Sequence, residues 1–440
     1  MINGEPKIKV ALLQNYRESK ITLNGNYYLP GGKSAAGLLN IQSLAGKVIL
    51  SDASGEVIAS PKEIFLTAGE NSTFTLDVKI GIDFHWQRTR QQIFRGSIIL
   101  RSNPDSSFHL INEIPVEDYL TSVISSEMSA RAPLEFLKAQ AITARSWLAA
   151  MLERKKRNSA ALPVNRVSDN EIICWHDTND HSFFDVCADD HCQRYQGITQ
   201  ITCAAVNTAI GATHGIYLVY DNKICDARYY KACGGRTEVF ASAWEDQSFP
   251  YLQSVTDHTT DYAAIRSEDD AGKWLKDKPS AYCNTQDKAL LGEILPSFDQ
   301  ETIDFYRWQV SYAREELEEI LHKKSGIDFG TLQNLIAVER GPSGRISKLK
   351  IAGTKRTVLV GKELEIRRWL SPTHLLSSAF VVSVRHSKNG AINRFILDGG
   401  GWGHGVGLCQ IGAAVMAAKG FRAEDILAHY FSGAKLQKLY

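Results

Sequence analysis

What this sequence does not have is an excess of charge of either sign: 50 Lys and Arg stand against 49 Asp and Glu, a net charge of +1. Binding to a phosphate backbone needs a basic surplus to displace counterions, so nucleic acid is excluded as a bulk electrostatic partner. No stretch approaches the roughly 18 apolar residues of a membrane-spanning helix, so no transmembrane segment is expected. The opening MINGEPKIKVALL lacks a charged region followed by a long apolar run. No export signal is visible there, and the expectation is an intracellular protein or a chain already processed. Regular internal repeats and low-complexity tracts are absent as well. Cysteine is present but undiagnostic: eight in 440 residues suit either redox compartment, because a chain of this length does not need disulfide staples. The 44% apolar and 22% charged content is that of a globular protein, and the length predicts two or three domains.

From Lys7 to about Asn112 short β-branched runs (KIKVALL, KVILSDASGEVIAS, STFTLDVKI, RGSIILRS) alternate with polar turns, and Asn24-Gly25 and Ser54-Gly55 read as turn signals. The pattern changes at Pro115. PVEDYLTSVISSEM opens with Pro115, Glu117 and Asp118, which suit a helix N-terminus, and Tyr119, Leu120, Val123 and Ile124 form its apolar stripe. PLEFLKAQAITARSWLAAMLERKKR predicts a second helix, with Leu134, Leu137, Ala141, Ala144 and Leu148 on one face. Short strands and loops are expected from about 171 to 260, and charged helix from about 261 to 330. Two hairpins follow, turning at Gly341–Gly344 and at Asn389-Gly390. A glycine-rich loop then leads into helices from about Cys409 and Ala423. The fold class expected is α+β, β-rich, with a helix pair and a Gly-rich C-terminal loop followed by helices.

Several side chains are placed to do chemistry. Glu127 ends the first helix on its inward face, where the helix dipole and desolvation both raise a carboxyl pKa, as a general acid requires. A carboxylate that merely bonds nearby backbone or an arginine fits the same spacing. Lys138 and Arg145 share one face of the second helix and could hold substrate carboxylates or phosphates, or be surface charges. In GGGWGHGVGLCQIGA, His404 and Gln410 could point from the glycine-rich loop into a cleft. The turn in YYKACGGRTEVF offers Lys231, Cys233, Thr237 and Glu238, and a Cys233–His404 nucleophile pair is conceivable. HSFFDVCADDHC places His181, Cys187, His191 and Cys192 in one loop-like stretch. Zinc takes four such ligands, but a Cys187–Cys192 disulfide or free thiols also fit, and Cys174 and His176 are near enough to substitute.

VEDYLTSVISSEMSARAPLEFLKAQAITARSW closely resembles the signature of the stage II sporulation protein D family, which includes the amidase-enhancer proteins. GWGHGVGLCQIGAAVMAAKG with ILAHYFSGAKL resembles its C-terminal signature, and YYKACGGRTEVF, WEDQSFPYLQSVTD, GPSGRISKLKIAG and LLSSAF its middle. The likeness runs from about 94 to 440; residues 1–93 match only loosely. It departs at Ser129, where proline is usual, at Leu408-Cys409 in place of Met-Ser, and in the longer 261–330 segment.

The resemblance implies a peptidoglycan lytic transglycosylase that cuts the MurNAc–GlcNAc bond, on glycan strands denuded of stem peptides, and leaves a 1,6-anhydroMurNAc end. Glu127 falls on the family's catalytic glutamate and Lys138 and Arg145 on its basic positions; Lys231, His404 and Gln410 are assigned to substrate binding. His181, Cys187, His191 and Cys192 resemble the zinc ligands of some members, which implies structural Zn2+. The cell envelope or periplasm is the expected location and a cell-wall amidase a candidate partner. The alternative function is a non-catalytic glycan-binding enhancer of such an amidase, and a metallohydrolase built on the His/Cys cluster is a third. The organisation expected is an N-terminal β-rich region (1–110), a first catalytic part (111–260), a charged helical insertion (261–330) and a second catalytic part (331–440).

Overall fold

A computed structural model describes residues 4–82, 87–157, 165–175, 181–296, 299–300 and 304–440. The chain divides into two compact units: Met1–Arg131, Thr178–Ile216 and Lys438–Tyr440 form the first, and Ala132–Asp177 with Tyr217–Gln437 the second. Among the described residues the helices are α1 (Val116–Glu127), α2 (Leu134–Arg157), α3 (Ala204–Ala212), α4 (Glu268–Asp277) and α5 (Lys288–Ile294). They continue with α6 (Arg314–Ser325), α7 (Glu363–Trp369), α8 (Gln410–Ala418) and α9 (Ala423–Tyr430). Strands exceed helices, so the architecture is the β-rich α+β that the sequence predicts.

The first unit is built on β1 (Lys7–Tyr16), β2 (Glu18–Tyr28), β3 (Ser34–Leu44), β4 (Lys47–Asp52) and β5 (Val57–Ala59). It adds β6 (Glu63–Ala68), β7 (Thr73–Ile80), β8 (Arg88–Arg95), β9 (Ser97–Ser102) and β10 (Phe108–Pro115). They pair in the order β1-β10-β9-β6-β2-β3-β4-β5, with β7 between β2 and β8. Alternation does the work: in TFTLDVKI, Phe74, Leu76, Val78 and Ile80 are buried while Asp77 and Lys79 face out. Phe74 lies opposite Phe94 in the β7–β8 register and the two rings stack at 5.3 Å. Ser54-Gly55 does turn between β4 and β5, but Asn24-Gly25 does not end a strand. It marks a bulge within β2: the β2–β3 register shifts between Leu23 and Tyr27, and Gly25 takes φ +96° with Ser72 Oγ 2.7 Å from where a Cβ would lie.

β10 runs directly into α1, every residue of which except Asp118 is buried. Its hydroxyls turn back on their own helix, Thr121 Oγ1 to Glu117 O and Ser125 Oγ to Thr121 O, both at 2.7 Å. Buried Glu117 accepts from Gly215 N (3.2 Å) and Tyr440 Oη (2.6 Å). α3 corrects the expectation of strands and loops alone after residue 171. AAVNTAIGA has no side-chain cap and a weak apolar stripe, and its alanines carry the helix propensity.

The second unit holds a five-stranded sheet in the order 166–167, 171–173, 357–361, 346–353, 332–340, and a three-stranded sheet in the order 308–313, 392–399, 380–386. Both predicted hairpins form, as 332–340 against 346–353 and 380–386 against 392–399. Their core includes Leu317, Leu349, Ile351, Val360, Trp369 and Phe395. The segment 261–330 is not purely helical: WQVSYA at Trp308–Ala313 is a strand paired along its whole length with 394–399. Charged helix on either side obscures its aromatic and β-branched alternation in the sequence.

Candidate functional site

Glu127 is the last helical residue of α1, because Met128 turns extended (φ −131°, ψ 176°). The residue keeps 9% exposure, and Oε1 accepts the backbone N–H of Arg194 at 3.0 Å. The segment after Cys192 is laid along α1 by further bonds. Tyr119 Oη donates to Gln193 Oε1 (3.1 Å), Gln196 N to Ser122 Oγ (3.2 Å), and Tyr195 Oη to Asn112 Oδ1 (2.6 Å). Tyr119 and Tyr195 stack at 5.1 Å, and the Arg194 guanidinium pairs with Asp190. Burial, and then Asp118, raises the Tyr195 phenol far above its ordinary range, so it stays protonated and donates to Asn112.

The loop that delivers Arg194 is the His/Cys stretch, and its start is fixed by the sheet. Val186–Cys187 pairs in parallel with β1, Val10 opposite Val186 and Ala11 opposite Cys187. Asp185 Oδ2 accepts from Lys9 N at 2.8 Å, and Asp189 accepts from the N–H groups of Gly81 (3.0 Å) and Ile82 (2.9 Å). Burial, and then the neighbouring Asp190, raises the Asp189 carboxyl to about 7.

His181, Cys187, His191 and Cys192 each offer one ligand atom, and all four lie within 4.8 Å of one another. His181 Nε2 is 3.3 Å from Cys192 Sγ, His191 Nδ1 3.6 Å from the same sulfur, and Cys187 Sγ 3.9 Å from His191 Nδ1. A tetrahedron with Zn–S near 2.3 Å and Zn–N near 2.0–2.1 Å has edges of about 3.3–3.8 Å. The donor set therefore fits one zinc ion, with four protein ligands and no position open to water. Hydrogen bonding from Cys192, and then from His181 and His191, pulls the Cys187 thiol well below the ordinary thiol range against burial. Cys174 belongs to the second unit, where its N–H bonds Gly361 O at 2.6 Å, and His176 lies outside the described residues.

The other predicted residues belong to the second unit. Lys138 is partly exposed and its Nζ meets Glu135 Oε1 at 2.6 Å. Arg145 is fully buried in α2, with Nη1 3.5 Å from Ala141 O. Lys231 lies in a buried ion pair with Asp299 at 2.7 Å. His404 spends both ring nitrogens on the backbone: Nε2–H donates to Tyr229 O (3.0 Å) and Nδ1 accepts from Val406 N (3.1 Å). Burial, and then Arg228 and Arg345, holds it well below the ordinary imidazole pKa, so it stays neutral. Gln410 begins α8 at 2% exposure, and its Nε2 meets no hydrogen-bond acceptor among the described residues. Glu238 is consumed by Ser343 and Ser242, and Thr237 by Gln253 O and Val255 N. Cys233 faces Cys283 and Cys409, not His404. The structure thus gathers the four His/Cys ligands and joins them through Cys192-Gln193-Arg194 to Glu127. Arg194 escapes sequence reading because it acts through its backbone N–H, which every residue type except proline has.

Sequence comparison finds similarity to known proteins across this site. The profile of the stage II sporulation protein family matches residues 104–220, and a domain of unknown function (DUF8618) matches residues 238–407. Stage II sporulation protein D of Bacillus amyloliquefaciens is 26% identical over 335 residues, 76% of this chain and 77% of that protein. The protein of the same name from Bacillus subtilis is 23% identical over 78% of this chain and 82% of its own. An uncharacterized protein of Brachyspira hyodysenteriae is 27% identical over 78% and 72%.

Proposed function

We propose, for a chain similar through residues 104–220 to the stage II sporulation protein family, the function of a peptidoglycan lytic transglycosylase acting on glycan strands, with Glu127 as its general acid and base. The observation that carries this reading is the single buried carboxylate at the C-terminal end of α1, with Oε1 held at 3.0 Å by Arg194 N–H and 9% of the residue still open to solvent. Nearby acids are engaged elsewhere, Asp190 with Arg194 and Asp189 with the 81–82 backbone.

One carboxyl group suffices for a non-hydrolytic cleavage. Protonated Glu127 gives its proton to the glycosidic oxygen as the bond from MurNAc C1 breaks, freeing the GlcNAc hydroxyl. The resulting carboxylate takes the proton of the MurNAc C6 hydroxyl as that oxygen attacks C1, closing the 1,6-anhydro ring and restoring the acid. No water is consumed, so the second carboxylate of a glycoside hydrolase is not required. The bond from Arg194 N–H fixes the orientation of the Glu127 carboxyl group.

His181, Cys187, His191 and Cys192 are assigned to a structural zinc, whose chemistry would be to cross-link the loop. Its effect on the reaction runs through the chain: Cys192 is two residues from the N–H that orients Glu127. The Lys138 side chain is partly exposed and Arg145 and Lys231 are buried; all three remain candidate substrate-binding residues.

The test is mass spectrometry of products from denuded and intact glycan strands, with wild type and Glu127→Gln. Anhydro-MurNAc ends from wild type alone support the reading. Reducing, hydrated ends would identify a hydrolase. No cleavage by folded, zinc-loaded protein, with stimulation of an added amidase unaffected by Glu127→Gln, would replace it with a glycan-binding enhancer.

A further inference from the structure

The second unit contains a convergence of thiols that the catalytic reading does not use. Cys233, Cys283, Cys409 and Asp257 come from four separate stretches of chain, and their ligand atoms all lie within 4.8 Å of one another. The three cysteines and Asp257 are at most 2% exposed. Cys233 and Cys283 Sγ stand 3.3 Å apart, too far for the roughly 2.05 Å of a disulfide and close to the edge of about 3.8 Å of a tetrahedral thiolate site.

The donors are held by backbone and side-chain bonds within and around the cluster. Tyr230 pairs with Cys409 in a short parallel bridge, which sets Cys409 directly before α8. Cys233 N–H donates to Cys409 Sγ and Gly235 N–H to Cys233 Sγ, both at 3.2 Å. Such N–H donors to sulfur are the usual surroundings of metal-bound thiolates. Asp257 accepts from Cys283 N (2.8 Å) on Oδ2 and from Tyr430 Oη (2.5 Å) on Oδ1. The Cys283 side chain also hydrogen-bonds this carboxyl group. The approach is so close that a Cβ on Gly412 would fall 2.4 Å from Asp257 Oδ1.

Cysteine alone is a good core filler, but a carboxylate at 0% exposure is not, and among the described residues no Lys or Arg pairs with Asp257. A buried carboxyl must either keep a proton or meet a cation, and three converging thiols beside it supply the setting for a cation. Two guanidinium groups serve the backbone of the Cys233 turn: Arg345 Nη1 reaches Cys233 O (3.2 Å) and Arg307 Nη1 reaches Gly234 O (2.9 Å). They supply positive charge around a site whose ligands sum to more negative charge than one divalent ion carries.

We propose that Cys233, Cys283, Cys409 and Asp257 form a second zinc site, structural and separate from the His/Cys loop. Three sulfurs and one oxygen select a thiophilic ion, and four protein ligands in a buried setting leave no coordination position for chemistry. The donors are too close together to enclose an iron–sulfur cluster. The ion ties the KACGGRT turn and the residues before α8 to two distant loops, and this role goes beyond the catalytic reading and does not depend on it.

The test is native mass spectrometry and elemental analysis of the full chain purified under reducing conditions, with zinc as the probe. Two zinc ions per wild-type chain, one after His181→Ala with Cys187→Ser and one after Cys283→Ser with Cys409→Ser, are expected. A second measurement needs no folded variant: cobalt-substituted wild type should show sulfur-to-cobalt charge transfer from five thiolates, against two from the His/Cys loop alone. One zinc per wild-type chain that the His181/Cys187 variant loses entirely overturns the proposal. So does a wild-type mass two daltons low with a Cys233–Cys283 disulfide. One zinc lost only through Cys283 and Cys409 would uphold this site and reject the other.

Discussion

Glu127 owes its position to two chain directions meeting: α1 stops on it, and the strand-like segment from Cys192 to Gln196 passes beside it with an N–H turned inward. Removing only its ability to exchange a proton isolates the chemistry from the packing. Glu127→Gln should lower the rate of anhydro-end formation by at least ~100-fold, the smaller end of general acid–base effects, while the thermal midpoint stays within a few degrees of wild type. Product analysis beside calorimetry checks both halves. At the same scale His404 predicts a pH effect. Its folded pKa lies well below the unfolded value near 6.5, so below that pH the unfolded chain binds the extra proton. Stability is then fully present above about pH 6.5 and falls as pH drops, by up to ~1.4 kcal/mol per pH unit for one proton. Urea unfolding between pH 5 and 7 should show this slope, and His404→Gln should flatten it.

At the scale of elements, the His/Cys loop and the strap that follows act as one piece. Val186–Cys187 is fixed to β1, the four ligands close the loop, and Gln193, Arg194 and Gln196 are bonded along α1. If the loop holds the proposed zinc, chelating it should release the strap before it disturbs the sheet. The expected outcome is loss of hydrogen-exchange protection at the Arg194 amide and a fall in glycan cleavage, with β9 and β10 still protected. Tyr119→Phe removes one neighbouring bond and should cost about 1–2 kcal/mol, since it leaves a buried amide acceptor with one partner fewer. Denaturant titration would measure it. A change of less than a few tenths would mean the strap is held by zinc and backbone alone.

For the whole molecule, the two units have separate cores, the first around paired Phe74 and Phe94 and the second around Leu349 and Trp369. Leu349 is fully buried between the strands of its hairpin sheet and the helices that cover it. Leu349→Ala should cost about 2–5 kcal/mol, readable as a lower denaturation midpoint with the slope unchanged.

Much of this was legible from residue order. Apolar spacing in VEDYLTSVISSE determines α1 and puts Glu127 at its end; alternation determines the strands; the turn residues determine both C-terminal hairpins. Local pattern was misleading where a local rule had two outcomes. Asn24-Gly25 became a bulge because β7 and Ser72 lie against it, and WQVSYA became a strand because 394–399 offered a free edge. Other features were never local. Whether Lys231 and Arg145 face solvent depends on what packs over them, and the meeting of Cys233, Asp257, Cys283 and Cys409 depends on four segments far apart in the chain. By itself the sequence determined which helix ends in an acid and which short stretch gathers two His and two Cys, because these follow from short-range periodicity and adjacency. Only the tertiary structure decided which N–H holds that acid and which buried thiols converge, because long-range packing is a property of the folded chain as a whole.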